Sequence, residues 1–539
     1  MAQRLWIVAL AGALVVWFLP LGTYHLFNPD EGRYAEIPRE MVASGDWVTP
    51  RLNDIKYFEK PPLHYWATAA AFAAFGEHEW SSRLWVALTG FLGLLLTAWV
   101  GARIYGAQVG ALAALVQGGA LLYGGLARIS TLDMGLSIAL ELTLAGLLLL
   151  VTARAGALPG MLPAGTVRSA RLGSWLLALG VVLAFLSKGL VGILIPGAVA
   201  GLYLLLRRDW SLLWRARPWW SLLALALLGL PWVLLVSQRN PEFARFFFIH
   251  EHFERFLTRV HARYEPDWFF IPVLLVGFMP WTALLPAIAA RSWRACRAGE
   301  YAAWLLVIWV LFVFVFFSVS QSKLVPYILP MFPALALLAG RSLAELAPRK
   351  VAAALWSAAG LWLLLAVAIV GIWQSPAIAA RLEIAEGPAA PAIAAGFLLA
   401  ALLGAGAALL AGQRKLLPAI MLAAFGTLAL LGVVLPAADR LPRQRDLVAL
   451  VAAAAPALGP NTAFYCVDDY EQSIPFYLQR PCTLVGYRGE LDFGLLQEPQ
   501  RWVPDLATFA ARWQLQADAL AVVRASSYPQ LQRMGLPMR

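Results

Sequence analysis

Long apolar runs separated by short polar breaks dominate this chain. Runs long enough to cross a hydrocarbon layer fall at 5–27, 80–102, 107–126, 132–152, 173–187, 189–206, 218–237, 268–290, 301–318, 324–340, 351–373, 391–411 and 416–437. A helix rises about 1.5 Å per residue, so roughly 20 apolar residues match a bilayer core of about 30 Å. The pattern predicts 13 spans. The topology turns on the break at Lys188: merging 173–206 into one span would move every later loop to the other side.

The basic residues favour keeping those two runs apart. With the N-terminus in the cytoplasm and sides alternating, the inner loops hold Arg103; Arg154, Arg168 and Arg171; Arg207, Arg208, Arg215 and Arg217; Arg291, Arg294 and Arg297; Arg341, Arg349 and Lys350; Arg414 and Lys415. That is the positive-inside bias. The outer side collects 28–79, 127–133, the surroundings of Lys188, 238–267, 319–323 and 374–390, all mixed in sign and rich in rings. The run at 5–27 is too long for a signal sequence and lacks a small-residue cleavage site, so it is expected to stay as the first span.

The pattern changes after residue 439. Residues 1–439 read as a membrane domain and 440–539 as a soluble-type domain, placed outside by the odd number of spans. Helix-like 443–457 leads to strand-like Thr462–Val467. Helix-like Glu471–Arg480 precedes strand-like Cys482–Val485, and helix-like 503–514 precedes strand-like Ala519–Val523. Alternating strands and helices predict a small α/β domain. Cys466 and Cys482 both lie in it, and a disulfide and two buried free thiols are both open. Cys296 falls on the inner side.

Composition agrees. The chain is 61% hydrophobic and 14% charged, against about 25% charged in soluble proteins. Its net charge of +11 sits in the inner loops, which argues for membrane topology and against nucleic acid. Three cysteines exclude a disulfide scaffold or a zinc-finger array. The absence of an internal repeat weighs against a transporter built from repeated halves. With no P-loop or strand-coupled glycine fingerprint, no nucleotide cofactor is expected.

The candidate chemistry lies outside. Asp30 and Glu31 follow the first span directly, with Arg33 close by. Adjacent acids point different ways, so one can face a reaction while the other holds structure or metal; a solvated helix end is the plain alternative. Glu36–Met41 reads as an amphipathic helix lying on the membrane, with Ile37 and Met41 on one face and a stop at Gly45. In Tyr57–Trp66, Lys60 could meet a phosphate and Glu59 a metal or a sugar; the other reading is an interfacial aromatic belt. Asp133 and Lys188 sit where a charge costs several kcal/mol unless partnered, although a helix dipole and snorkelling also account for them. In His250–Arg255, His250 and Glu254 share a helical face, as do Glu251 and Arg255. His250 and His252 do not, so a zinc site would need an acid such as Glu59. Lys323 and Tyr327 fall at i, i+4 in a segment loosened by Pro326 and Pro330. Lys60, Lys188, Arg255 and Lys323 on one membrane face suit a lipid phosphate, and the nearby acids suit chemistry at a sugar carbon.

Several of these motifs resemble the aminoarabinose transferases. They are Asp30-Glu31, Arg33 to Met41, Gly45-Asp46-Trp47, Tyr57 to Pro61, Glu251-His252 with Arg255-Phe256, and Lys323-Leu324 with Pro326 to Pro330. These enzymes are GT-C membrane glycosyltransferases related to protein O-mannosyltransferases. They move 4-amino-4-deoxy-L-arabinose from undecaprenyl phosphate to lipid A of lipopolysaccharide, which confers polymyxin resistance. The resemblance implies a mainly α polytopic GT-C fold with 13 transmembrane helices, outer juxtamembrane helices and a periplasmic α/β domain, acting as a monomer in the bacterial inner membrane. It implies Asp30 and Asp133 as the catalytic acids, with Glu31 as a neighbouring candidate. Lys60, Lys188, Arg255 and Tyr327 would surround the polyprenyl phosphate, with Arg33 and Lys323 as further substrate contacts. Glu59 and His250, helped by Tyr57, would mark a zinc position. Family precedent is a single displacement with inversion. Pro62-Leu63-His64 departs from the enterobacterial pattern and leaves the donor sugar open. Another sugar or a hydroxyl acceptor, a lipid-linked sugar transporter and a non-catalytic scaffold are the alternatives.

Overall fold

A helical membrane domain carries a small α/β domain at one end, and the two meet over the first outer loop. The computed structural model describes residues 12, 14–154, 166–254, 265–375 and 389–538. Among the described residues, nine helices are long and apolar enough to cross a membrane, or ten if one bent pair is a single span. Val191–Arg207 is a shorter apolar helix. The run at 5–27 and the outer loop at 374–390 lie partly outside the described residues.

Several apolar runs are broken. The run at 107–126 divides at Ala120 into Ala107–Gly119 and Leu121–Leu126. The run at 268–290 bends by 108° between Phe270–Gly277 and Thr282–Arg297. Pro280 lies in that bend, where it lacks an N–H and disfavours helix at the residue before it. The run at 324–340 opens as a tight 3₁₀ segment, Val325–Met331, before helix Phe332–Glu345. Lys323 precedes this segment and Leu324 is extended, so Lys323 and Tyr327 do not share the helical face that their i, i+4 spacing predicted.

The break at Lys188 is real. Helix Thr166–Lys188 ends there, Gly189 turns the chain at φ +73°, and helix Val191–Arg207 follows. The two helices touch closely: a Cβ added at Gly192 would lie 2.4 Å from the Ala184 carbonyl carbon. Only glycine fits such a backbone approach.

Helix Asp30–Ser44 is covered by protein on more than the single apolar face that the pattern predicted. Ten of its residues are buried, because it is sandwiched between helix Leu63–Phe75 and helix Ser473–Leu478. Its charges survive burial by pairing. Arg39 makes two 2.6 Å bonds to Glu36, and Glu31 pairs with Arg83.

The α/β domain holds a four-stranded parallel sheet in the order Trp502–Val503, Thr483–Val485, Ala463–Val467, Ala519–Val523. Cys466, on one of these strands, and Cys482, just before the neighbouring strand Thr483–Val485, form a disulfide. The sheet's underside seats on the hairpin Arg51–Leu52 and Ile55–Lys56. Asn53, at φ 57° in its turn, exchanges two hydrogen bonds with the Cys482 backbone, at 2.7 and 2.8 Å. Arg51 grips Glu498 through two 3.1 Å bonds. The domain therefore rests on the segment that leads directly into Tyr57–Lys60.

Candidate active site

Four distant stretches converge on one cleft. The Glu59-Lys60 loop, stiffened by Pro61 and Pro62, forms one wall. Lys188 at its helix end and Val191 at the next helix form another. Glu251 projects from the π-helical turn Phe246–Glu254, and Tyr327 from the 3₁₀ segment; Phe316, Phe317, Ser320 and Ser322 close the remaining side. The space, including its open mouth, is about 630 Å³.

Each lysine is held by a carboxylate. Lys60 Nζ lies 2.9 Å from Glu251 Oε2, 2.9 Å from the Glu59 carbonyl and 3.8 Å from Glu59 Oε2. Lys188 Nζ lies 2.5 Å from Asp133 Oδ1 and 4.6 Å from the centre of the Tyr327 ring. Charge-assisted bonds of this kind fix an otherwise flexible ammonium. Asp133 occupies the first turn of helix Leu132–Arg154, where the helix dipole favours its anion. The sequence marks Asp133 and Lys188 separately; the fold makes them partners.

Beside the cleft lies a buried aromatic cluster. Tyr34 stands 5.4 Å from the His64 ring and 6.3 Å from Tyr65. Burial raises the Tyr34 hydroxyl pKa; Arg33 opposes this, and the charges of Asp30, Glu59 and Asp133 add to it. Burial pushes the Tyr57 and Tyr65 hydroxyls up as well, so all three stay protonated and can donate. Burial pushes His64 down to about 3, leaving a neutral imidazole whose Nδ1 has no hydrogen-bond partner among the described residues.

The other expected site residues divide. Asp30 is half exposed at the start of its helix, 3.5 Å from Arg33, and is open to a substrate. Glu31 is not: it is fully buried, binds Arg83 through two 2.8 Å bonds and accepts from the backbone N–H groups of Phe27 and Ser130. Its oxygens are committed to joining the first loop to helix Glu79–Tyr105. Arg33 also turns away, donating to Gln472 at 2.8 Å and Glu490 at 2.7 Å in the α/β domain. Lys323 points to the Glu265 carbonyl at 2.9 Å and Asp267 at 3.5 Å, and it does not line the cleft. Arg255 lies outside the described residues.

Zinc at Glu59, His250 and Tyr57 stays a proposal. Among the described residues no three His, Cys, Asp or Glu side chains are grouped to hold a metal. Tyr57 is buried beside Arg33, 5.9 Å from ring centre to guanidinium, and its hydroxyl lacks a hydrogen-bond partner among the described residues. His250 stacks on Phe246 at 5.1 Å. Glu59 has the Lys60 ammonium at its side, and a resident cation opposes a second one there.

Two buried charges escaped the sequence reading. Arg83 also donates to the carbonyls of Leu21, Tyr24 and His25. Its signal was an arginine at the outer end of a span, against the positive-inside trend. Glu141 lies within helix Leu132–Arg154 and bonds Thr97 at 2.6 Å. A lone acid inside an apolar run was its signal.

A multi-helix membrane domain, an α/β cap and a lysine–carboxylate cleft at their junction define a GT-C-type membrane protein. Family models match on both parts. Residues 5–247 match the dolichyl-phosphate-mannose-protein mannosyltransferase model, and 450–539 match the aminoarabinose transferase C-terminal domain. The chain is 36% identical to ArnT from Cupriavidus metallidurans, crystallised bound to undecaprenyl phosphate, with a TM-score of 0.88 over 99% of this chain and 95% of that one. It is 35% identical over 62% of its length to undecaprenyl phosphate-alpha-4-amino-4-deoxy-L-arabinose arabinosyl transferase 1 of Pseudomonas fluorescens (strain Pf0-1), and 34% identical over 64% to the transferase of Pseudomonas aeruginosa (strain UCBPP-PA14). These alignments span 56% and 60% of those two relatives. The chain belongs to the aminoarabinose transferase family.

Proposed function

We propose that this protein transfers 4-amino-4-deoxy-L-arabinose from undecaprenyl phosphate to a phosphate of lipid A on the outer face of the bacterial inner membrane. The observation that carries the reading is the convergence of Lys60 and Lys188 with Tyr327 on one cleft. The solved relative crystallised with undecaprenyl phosphate supports it.

The donor is a phosphodiester with one negative charge. As the glycosidic C–O bond breaks, its electron pair passes to the phosphate, which becomes a dianionic monoester. Lys60 and Lys188 stand where that second charge grows, and preorganised cations lower the barrier most when the charge appears only in the transition state. The incoming lipid A phosphate is already anionic and needs no base. Asp30, Glu59 and Asp133 then suit a different task, gripping the ammonium of an amino sugar. A hydroxyl acceptor would instead require a base, and half-exposed Asp30 would serve.

The test is mass spectrometry of lipid A from a host lacking its own transferase, with and without this chain. One added pentosamine, together with polymyxin resistance, is the expected result. Unmodified lipid A beside a well-expressed protein sinks the assignment. Lys60→Ala should weaken undecaprenyl phosphate binding by about 10- to 100-fold, the size of a charge-assisted hydrogen bond; unchanged affinity removes Lys60 from the donor site.

A further inference from the structure

The end of the membrane domain opposite the Lys188 cleft carries a second, unrelated cleft. Arg171 and Lys188 lie on the same helix, 17 residues apart, or about 26 Å along its axis. Around Arg171, with Ser174, Trp214, Arg215 and Arg217, is a pocket of about 800 Å³ including its mouth. Arg208 and Arg217 both adopt left-handed backbone, at φ 50° and 49°, and fold the short helix Ser211–Ala216 between them against helix Thr166–Lys188. Ser174 secures that fold through a 2.9 Å bond to the Arg215 carbonyl. Asp209 engages Arg215 at 2.8 Å. Arg215 Nε is buried without a hydrogen-bond partner among the described residues. Arg171 and Arg217 add positive charge at the same pocket.

An apolar groove adjoins this pocket. Leu177, one turn beyond Ser174, and Pro218, next to Arg217, line it. Val181, Pro196, Gly197 and Ala200 carry it deeper into the membrane domain, with Leu225 opposite. The groove holds about 820 Å³ including its mouth. Ser221 is the polar side chain that lines it, and its buried hydroxyl lacks a partner among the described residues. Exposed Trp175, Trp214, Trp219 and Trp220 ring the basic end, as indoles do at headgroup depth.

We infer that this composite site binds an anionic glycerophospholipid, with its phosphate on Arg171, Arg215 and Arg217 and an acyl chain in the groove beside Gly197. A polar, positively charged mouth above an apolar slot complements that amphiphile, and basic pockets between helices at the arginine-rich face attract anionic headgroups. Undecaprenyl phosphate is disfavoured because its proposed phosphate site is at the other end of the same helix.

The test is native mass spectrometry of the purified full-length protein with phosphatidylglycerol, phosphatidylcholine or undecaprenyl phosphate added in turn. Wild type should retain one phosphatidylglycerol at least tenfold better than phosphatidylcholine. The double variant Arg171→Ala/Arg217→Ala should lose that preference. Gly197→Phe should reduce retention about tenfold by filling the slot, since an added Cβ meets nothing within 4 Å and the fold has room for it. Lys60→Ala should leave phosphatidylglycerol unchanged, and undecaprenyl phosphate binding to each groove variant reports that it has folded. Equal retention of both phospholipids, wild-type retention in Gly197→Phe, or displacement of phosphatidylglycerol by undecaprenyl phosphate would each overturn the inference.

Discussion

At the scale of single residues, neighbouring charges in this chain have opposite fates. Asp30 is half exposed while Glu31 is sealed against Arg83. Removing one partner of a buried pair leaves an uncompensated charge, at a cost of about 3–5 kcal/mol. Glu31→Gln should therefore lower the melting temperature sharply, whereas Asp30→Asn should leave it near wild type and change transfer alone. A normal melt for Glu31→Gln would return Glu31 to the list of catalytic candidates. His64 supplies a pH signature. Its folded pKa is about 3 against an ordinary 6.5, so below pH 6.5 the unfolded chain takes up a proton that the folded chain does not. Stability from this group is fully present above pH 6.5 and is lost progressively as pH falls towards 3, by about 2 kcal/mol at pH 5. Thermal melts at pH 7 and pH 5 should differ less for His64→Gln than for wild type; an identical difference discounts His64. The sequence made the individual charges legible because an ionisable residue beside an apolar run is conspicuous. It did not reveal which were spent on structure, because Glu31, Arg33 and Lys323 find partners 52, 457 and 58 residues away.

At the scale of elements, apolar length located most helices, and breaks were the part it missed. Burial in a membrane demands apolar surface whether a helix runs straight, bends by 108° or opens as a 3₁₀ turn, so hydropathy does not register the difference. The break at Lys188 was legible from a different property, the distribution of arginines. Its tightness was not, since that depends on Gly192 meeting the Ala184 backbone. Gly192→Leu should drive the two helices apart, displace Lys188 from Asp133 and Tyr327, and lower transfer more than tenfold while the protein still inserts. Unimpaired transfer by that variant would show that the hairpin does not set the position of Lys188. The α/β domain's three longer strands were legible from their β-branched runs. The edge pair Trp502–Val503 was too short to signal.

At the scale of the whole molecule, the α/β domain is part of the site's foundation. Asn53, Arg51 and Arg33 tie it to the loop that carries Lys60. The seat is close: a Cβ at Gly32 would lie 2.5 Å from the Ser473 backbone nitrogen, and one at Gly494 would lie 2.3 Å from the Lys56 carbonyl oxygen. Gly32→Val should unseat the domain, speed proteolysis after residue 439 and reduce transfer without touching a cleft residue. Equal proteolysis rates in the variant and wild type would show that the seat tolerates the side chain.

The sequence by itself determined that this chain is a polytopic membrane protein with a C-terminal α/β domain. Those properties follow from local runs: apolar length and alternation of strand and helix patterns. Only the tertiary structure decided which charges meet. It paired Lys60 with Glu251 and Lys188 with Asp133, and withdrew Glu31, Arg33 and Lys323 from the cleft. A contact between distant residues depends on how helices pack and where they break, and one stretch of sequence carries no record of that.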